Sequence, residues 1–258
     1  GGSGQDGSLD GADMLKDALV KQGDWLFRWR SYVPLLIAPL VVYEFGRYTP
    51  FLGSACWNAV LEIVCFAVAY FGLAIRAHVV GHAPAGTSGR ITKSQKASEV
   101  NTTGMYALCR NPLYLGNYFI MVGVLLFLHS IATLVVFTMF FWLYYERIIL
   151  REEDFLHGEF GEDYVHWGAR TPVVIPRFSG WTPPALSFSW RAVLRREYSG
   201  FFAVIAAMAL FKLIGVYVTE GEADLSLAWR VVFLAGLIIY LALRTLKKKT
   251  RQLHEAGR

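Results

Sequence analysis

The stretch "NTTGMYALCRNPLYLGNY" (Asn101–Tyr118) sets polar and cationic residues directly against the start of an apolar run. Pro112 suits the first turn of a helix, where its missing N–H would find no partner anyway. Arg110 and Asn111 then stand at a helix N-terminus, beside free backbone N–H groups and the positive end of the helix dipole. That arrangement attracts a carboxylate or a phosphate. Tyr114 and Asn117 lie over the same turn, and Gly116 leaves room for another backbone or a ligand.

The surroundings of this stretch are built for lipid. The chain is 55% hydrophobic and only 17% charged, where soluble domains carry about a quarter charged residues. Several runs approach the roughly twenty apolar residues that cross a bilayer. The expected fold is an all-α integral membrane protein with about six transmembrane helices and a cofactor pocket at the cytoplasmic face. The spans fall at Tyr32–Phe51 (softened by Pro34 and Pro39), Trp57–Val79, Pro112–Leu128, Ile131–Leu150, Gly200–Val218 and Leu227–Leu243. Only His129 and Ser130 separate the third span from the fourth, which predicts a tight helical hairpin.

Three parts follow. Residues 1–30 are a tag-like leader, with no cleavable signal peptide after it, and an amphipathic helix that puts Trp25 and Trp29 at the interface. Residues 31–176 form the membrane core. Residues 177–258 hold an interfacial linker, two further spans and a basic tail.

Charge sets the orientation. With six spans, 22 of the 25 Lys and Arg residues fall on one side, leaving Arg47, Lys212 and Arg230 towards the other. The positive-inside rule then places both termini in the cytoplasm. The tail "RTLKKKTR" fits anionic headgroups, and nucleic acid is not an expected partner. Cys56, Cys65 and Cys109 lack metal-ligand spacing and read as ordinary buried thiols. His78 and His82 stand at i,i+4 without acidic or thiol partners, so no metal is expected. "GHAPAGTSGR" (Gly81–Arg90) follows a span rather than a strand and reads as a flexible loop, with Thr87 and Arg90 suited to a lid.

A second polar segment, "YYERIILREEDFLHGEFGEDY" (Tyr144–Tyr164), leaves the fourth span on the same side. Glu146, Arg147, Arg151, Glu152 and Glu153 crowd the membrane boundary. Ionisable groups there suggest function by default, against the plainer reading of a snorkelling, ion-paired face. Because spans three and four form a hairpin, the cationic helix start and this mixed-charge helix exit should meet.

The pattern Gly104-x-Tyr106-x-x-x-Arg110-Asn111-Pro112-x-Tyr114-x-Gly116, followed by Arg147, Glu152-Glu153, Phe160-Gly161 and Tyr164, resembles the isoprenylcysteine carboxyl methyltransferase and phospholipid methyltransferase superfamily. The resemblance runs from Arg76 to Pro176. It implies an S-adenosylmethionine-dependent methyltransferase, with the donor at the cytoplasmic end of the hairpin and a lipid or lipidated acceptor entering from the bilayer. On this basis Gly104, Tyr106, Arg110, Asn111, Tyr114, Glu152 and Glu153 are expected to bind the cofactor, and Arg147, Arg151 and Glu146 to serve catalysis. The family usually reads Arg-His-Pro. Asn111 replaces the His here and can hydrogen-bond a ligand but cannot act as a base.

A carboxylate or phosphate acceptor is already anionic and needs only a cation to hold it, whereas an amine must first lose a proton. Arg147 and Arg151 therefore favour an anionic acceptor. Two other classes stand beside this reading: an NADPH-dependent membrane reductase resembling the sterol and steroid reductases, and a non-catalytic lipid-binding membrane protein.

Overall fold

The computed structural model describes residues 6–29, 33–84, 100–250 and 252–253, which form helices joined by turns and irregular segments. The lid residues Thr87 and Arg90 lie outside the described residues. Nine α-helices follow in order among those described: α1 (Asp6–Trp29), α2 (Ala38–Phe45), α3 (Ala55–His82), α4 (Met105–Leu108), α5 (Pro112–Leu125), α6 (Ile131–Phe160), α7 (Glu162–Arg170), α8 (Trp190–Glu220) and α9 (Leu227–Lys249).

Four of these, α3, α6, α8 and α9, are long and apolar enough to cross a membrane, where the sequence suggested six spans. The shortfall has local causes. The first expected span breaks into a 3-10 turn over Val33–Ile37 and the eight-residue α2, which stops at Gly46. Pro34 and Pro39 each lack a backbone donor, and the stretch divides into the 3-10 turn and the short helix. The apolar helix at Pro112–Leu128 is also short. Its seventeen residues rise roughly 25 Å, under the roughly 30 Å of hydrocarbon.

The hairpin between α5 and α6 forms at His129–Ser130. His129 adopts the left-handed conformation, and the Ser130 hydroxyl caps α6 by accepting from the Thr133 N–H. α5 runs antiparallel to α3 at very close range. A Cβ added to Gly116 would sit 2.8 Å from the Gly72 carbonyl oxygen and 2.7 Å from Arg76 Cγ, and one added to Gly123 would sit 2.7 Å from Ala69 Cβ. Small residues allow this approach, which is how helices associate where lipid removes the hydrophobic drive.

Around that pair, Phe137, Phe141, Tyr145 and Ile148 of α6 pack with Phe45 and Leu125, while Val204 and Met208 of α8 pack with Cys65, Phe127 and Trp229. α1 lies along α6, with the Tyr144 hydroxyl donating to the Leu26 carbonyl at 3.3 Å. α9 rests on α8, where Tyr240 stacks on Tyr198 and Phe202. Outward-facing Ile63, Met139 and Ile238 are 69%, 61% and 67% exposed. An apolar outer surface of this kind belongs in lipid rather than water.

Two polar ends result. At one, the end of α3, the start of α5, the last turns of α6 and the start of α8 meet through Arg76–Glu197 and Tyr114–Glu152. At the other, Glu62 of α3 meets Lys212 of α8 and Trp229 of α9.

Candidate functional site

The segment before α5 is held by backbone pairing rather than left open. The N–H groups of Arg110 and Asn111 donate to the carbonyls of Pro172 and Val173 at 2.8 and 3.1 Å, and Arg177 N–H donates to the Leu108 carbonyl at 3.0 Å. The backbone N–H groups of Arg110 and Asn111 are therefore paired with the segment that follows α7. The clamp instead fixes the Arg110 side chain over the end of α6.

There Arg110 Nη1 lies 3.0 Å from Glu153 Oε1, with the two side chains 17% and 19% exposed. The contact is an ion pair without hydrogen-bond geometry. Glu153 Oε1, Arg110 Nε and Trp167 Nε1 are all buried with no hydrogen-bond partner among the described residues. The Asn111 amide faces Glu153 as well and donates to the Val173 carbonyl. One turn into α5, the Tyr114 hydroxyl donates to Glu152 Oε1 at 2.8 Å, and its ring lies 4.6 Å from that of Tyr145.

α7 closes one side. Tyr164 and Trp167 are ring neighbours at 5.5 Å, and Gly168 brings the backbone up to Arg110. Burial pushes the Tyr164 hydroxyl up to about 12, with the Glu153 charge adding to the rise and Arg110 opposing it.

Tyr106, on α4, sits between two charge clusters. Burial raises its hydroxyl well above the ordinary range, Glu152 adds to this, and Arg196 and Arg76 oppose it. Just before it, Gly104 has φ +62 and ψ −130, a region that side chains other than glycine's rarely enter. Its N–H donates to the Thr182 carbonyl at 2.9 Å. Gly104 and Tyr106 line a small cleft with His78, His82, Asn101 and Thr103. His78 Nδ1 is buried there without a partner among the described residues.

Gly104, Tyr106, Arg110, Asn111, Tyr114, Glu152 and Glu153 thus gather at one end of the bundle. Arg147, Arg151 and Glu146 do not join them. Arg147 donates to Gln22 at 3.1 Å and pairs with Glu146, whose side chain is 58% exposed, while Arg151 pairs with Asp24 and covers the Phe27 ring. Helical geometry explains the division. At about 100° per residue, positions 145, 149, 152 and 153 share the face towards α5, and 144, 147 and 151 share the face that α1 covers.

Sequence reasoning overlooked Trp167, Arg76 and Glu197. Arg76 donates through Nε and Nη2 to both carboxylate oxygens of Glu197, at 2.9 and 2.8 Å, and through Nη1 to Asn117 Oδ1 at 2.7 Å. The available signal for Glu197 was a single acid in the basic run "RAVLRREYSG" at the mouth of an apolar span. Among the described residues no group of three or more His, Cys, Asp and Glu side chains is arranged to hold a metal ion.

Comparison with known proteins bears on this geometry. Residues 63–163 match the phospholipid methyltransferase family. Over 104 residues the chain is also 31% identical to the protein-S-isoprenylcysteine O-methyltransferase of Saccharomyces cerevisiae, covering 40% of this chain and 42% of the yeast protein. The chain is thus similar, over less than half of its length, to the phospholipid methyltransferase family and to a protein-S-isoprenylcysteine O-methyltransferase. The matched family segment contains both halves of the site, from Arg76 through Arg110 to Glu153, but not Trp167 or Glu197. Two metal-resistance proteins are similar as well. The cobalt-zinc-cadmium resistance protein CzcN of Cupriavidus metallidurans is 31% identical over 128 residues, which is 47% of this chain and 59% of that protein. The nickel-cobalt-cadmium resistance protein NccN of Alcaligenes xylosoxydans xylosoxydans is 35% identical over 85 residues, 33% of this chain and 39% of that protein. The chain thus spans less than two thirds of these relatives' length. No solved structure matches it.

Proposed function

We propose that the chain is an S-adenosylmethionine-dependent membrane methyltransferase that methylates a carboxylate or phosphate group on a lipid or lipidated acceptor. The observation that carries this reading is the set of buried atoms at one end of the bundle that lack a hydrogen-bond partner among the described residues: Arg110 Nε, Trp167 Nε1 and Glu153 Oε1. A buried polar atom without a partner is costly. Two donors and a carboxylate oxygen in one place therefore ask for a ligand carrying both anionic and cationic groups. S-adenosylmethionine has a carboxylate, an ammonium and ribose hydroxyls, and the residues fit it.

In this reading Arg110 and Trp167 hold the carboxylate, Glu153 and Glu152 take the ammonium or the ribose, and Asn111 adds an amide contact. Tyr106 and Tyr114 supply ring surface beside the methionyl or adenine portion. When bound, the cofactor supplies an electrophilic methyl group on a sulfonium. Transfer is an in-line displacement, so the chain contributes mainly by fixing positions and keeping water out. An anionic acceptor needs no base, which suits a site with Asn111 where a histidine is usual. Arg147 and Arg151 brace α1 in this arrangement, and reach an acceptor only if α1 moves aside.

The positive-inside bias argues that the site end faces the cytoplasm. Contacts of Leu26 with Tyr144 at the site end, and of Thr49 with His129 at the far end, argue that the short segments also pass through the bilayer, for six crossings in all. Calorimetry on the purified protein tests the cofactor: S-adenosylhomocysteine should bind. NADPH binding in its place would shift the reading to a reductase, and neither would leave a lipid-binding protein. Labelled-methyl transfer into total lipid extract, followed by mass analysis, tests the acceptor.

A further inference from the structure

The family segment ends at residue 163, yet α8 reaches back into the site end of the bundle. Glu197, in its second turn, is 4% exposed and accepts both hydrogen bonds of a bidentate pair from Arg76 of α3. The third nitrogen of that guanidinium is spent on Asn117 of α5. Arg76 also runs its stem across Gly116, so the early turns of α5 are gripped at two adjacent points. One turn earlier the same helix carries Tyr114, bonded to Glu152, and Tyr106 lies within the field of Arg76 and Glu152 together.

We infer that Arg76, Asn117 and Glu197 are positioning residues, through which α8 sets the placement of the Tyr106–Tyr114 wall of the site. The inference rests on the methyltransferase reading for its effect on transfer, but not for its effect on α5. A planar guanidinium with three ordered acceptor contacts fixes distance and orientation, which an ammonium cannot reproduce.

The test must separate positioning from stability, because removing one partner strands a buried charge. Replacing a buried ion pair by apolar side chains of similar size is often neutral or stabilising. The double variant Arg76→Met/Glu197→Met should therefore fold with a Tm at or above wild type, and Arg76→Lys should fold while losing the fork. Both should show faster amide hydrogen exchange across residues 113–118 with α9 unchanged. Both should also lose about tenfold or more in kcat, with S-adenosylhomocysteine affinity within about threefold of wild type, because misplacement by about 1 Å costs on the order of a hundredfold. Wild-type exchange in α5 together with wild-type kcat in the folded double variant overturns the inference, as does full rescue by lysine. If wild-type protein transfers no methyl group to any lipid, the methyltransferase reading fails, while the exchange measurement still decides positioning.

Discussion

Both ends of the bundle bury charge, but among the described residues only the site end leaves some of its buried polar atoms without a hydrogen-bond partner. At the far end Glu62 accepts from Asn58 and Lys212 on one oxygen, at 2.8 and 2.7 Å, and from Trp229 on the other at 3.0 Å. Asn58 in turn accepts from the Phe51 N–H. At the site end the four buried atoms left without partners among the described residues are His78 Nδ1, Arg110 Nε, Glu153 Oε1 and Trp167 Nε1. The same helices, α3 and α8, contribute to both. Saturated buried charge fastens one element to another, whereas unsaturated buried charge of both signs is a place for something else to bind.

The largest effect should come from breaking the saturated end. Glu62→Ala strands Lys212 and the indole N–H of Trp229, and should cost about 3–5 kcal/mol of stability. Denaturant unfolding in detergent reads this loss, and S-adenosylhomocysteine affinity in the folded fraction should stay at the wild-type value. Next comes the unsaturated end. Arg110→Ala should lower S-adenosylhomocysteine affinity by about a hundredfold, roughly 2.7 kcal/mol, where Glu62→Ala leaves it unchanged. Equal losses of affinity from the two variants would erase the distinction between the ends.

Gly104→Ala sharpens the comparison on the site side. A side chain at φ +62 is strained, and its Cβ would meet Pro184 Cγ at 3.3 Å. The expected cost is about 1–3 kcal/mol, with weakened S-adenosylhomocysteine binding in the same calorimetric assay. The smallest effect is on pH dependence. The Tyr164 hydroxyl is raised from its ordinary 10 to about 12 by burial. Because the folded value lies above the unfolded one, this contribution to stability is complete below pH 10 and disappears as pH climbs through about 12. A Tyr164→Phe variant should remove that alkaline component from the stability profile, measured by unfolding across the same range.

Much of this architecture was legible in the chain because its causes are local. Apolar runs of bilayer length, Pro112 at a helix start and His129–Ser130 between two such runs need only neighbouring residues to be read. The break in the first expected span is local too, since that apolar stretch carries Pro34 and Pro39 and divides into a 3-10 turn and the short α2. Arg147 and Arg151 show where reading stopped. Their types and membrane depth were evident, but which way they point depends on α1 docking along α6, with Asp24 and Gln22 more than a hundred residues away. Trp167 and Glu197 escaped notice for the same reason.

The sequence by itself determined that this is a helical membrane chain and that a cationic helix start and an acidic helix exit share one side of it. Hydrophobic length, proline chemistry and charge bias act over a few residues and survive without a fold. Only the tertiary structure decided which charges meet, pairing Arg110 with Glu153 and Arg76 with Glu197 while turning Arg147 and Arg151 to α1. Such pairing depends on the rotation of each helix about its axis, and that rotation is set by glycine contacts such as Gly72 with Gly116 and by partners far away along the chain.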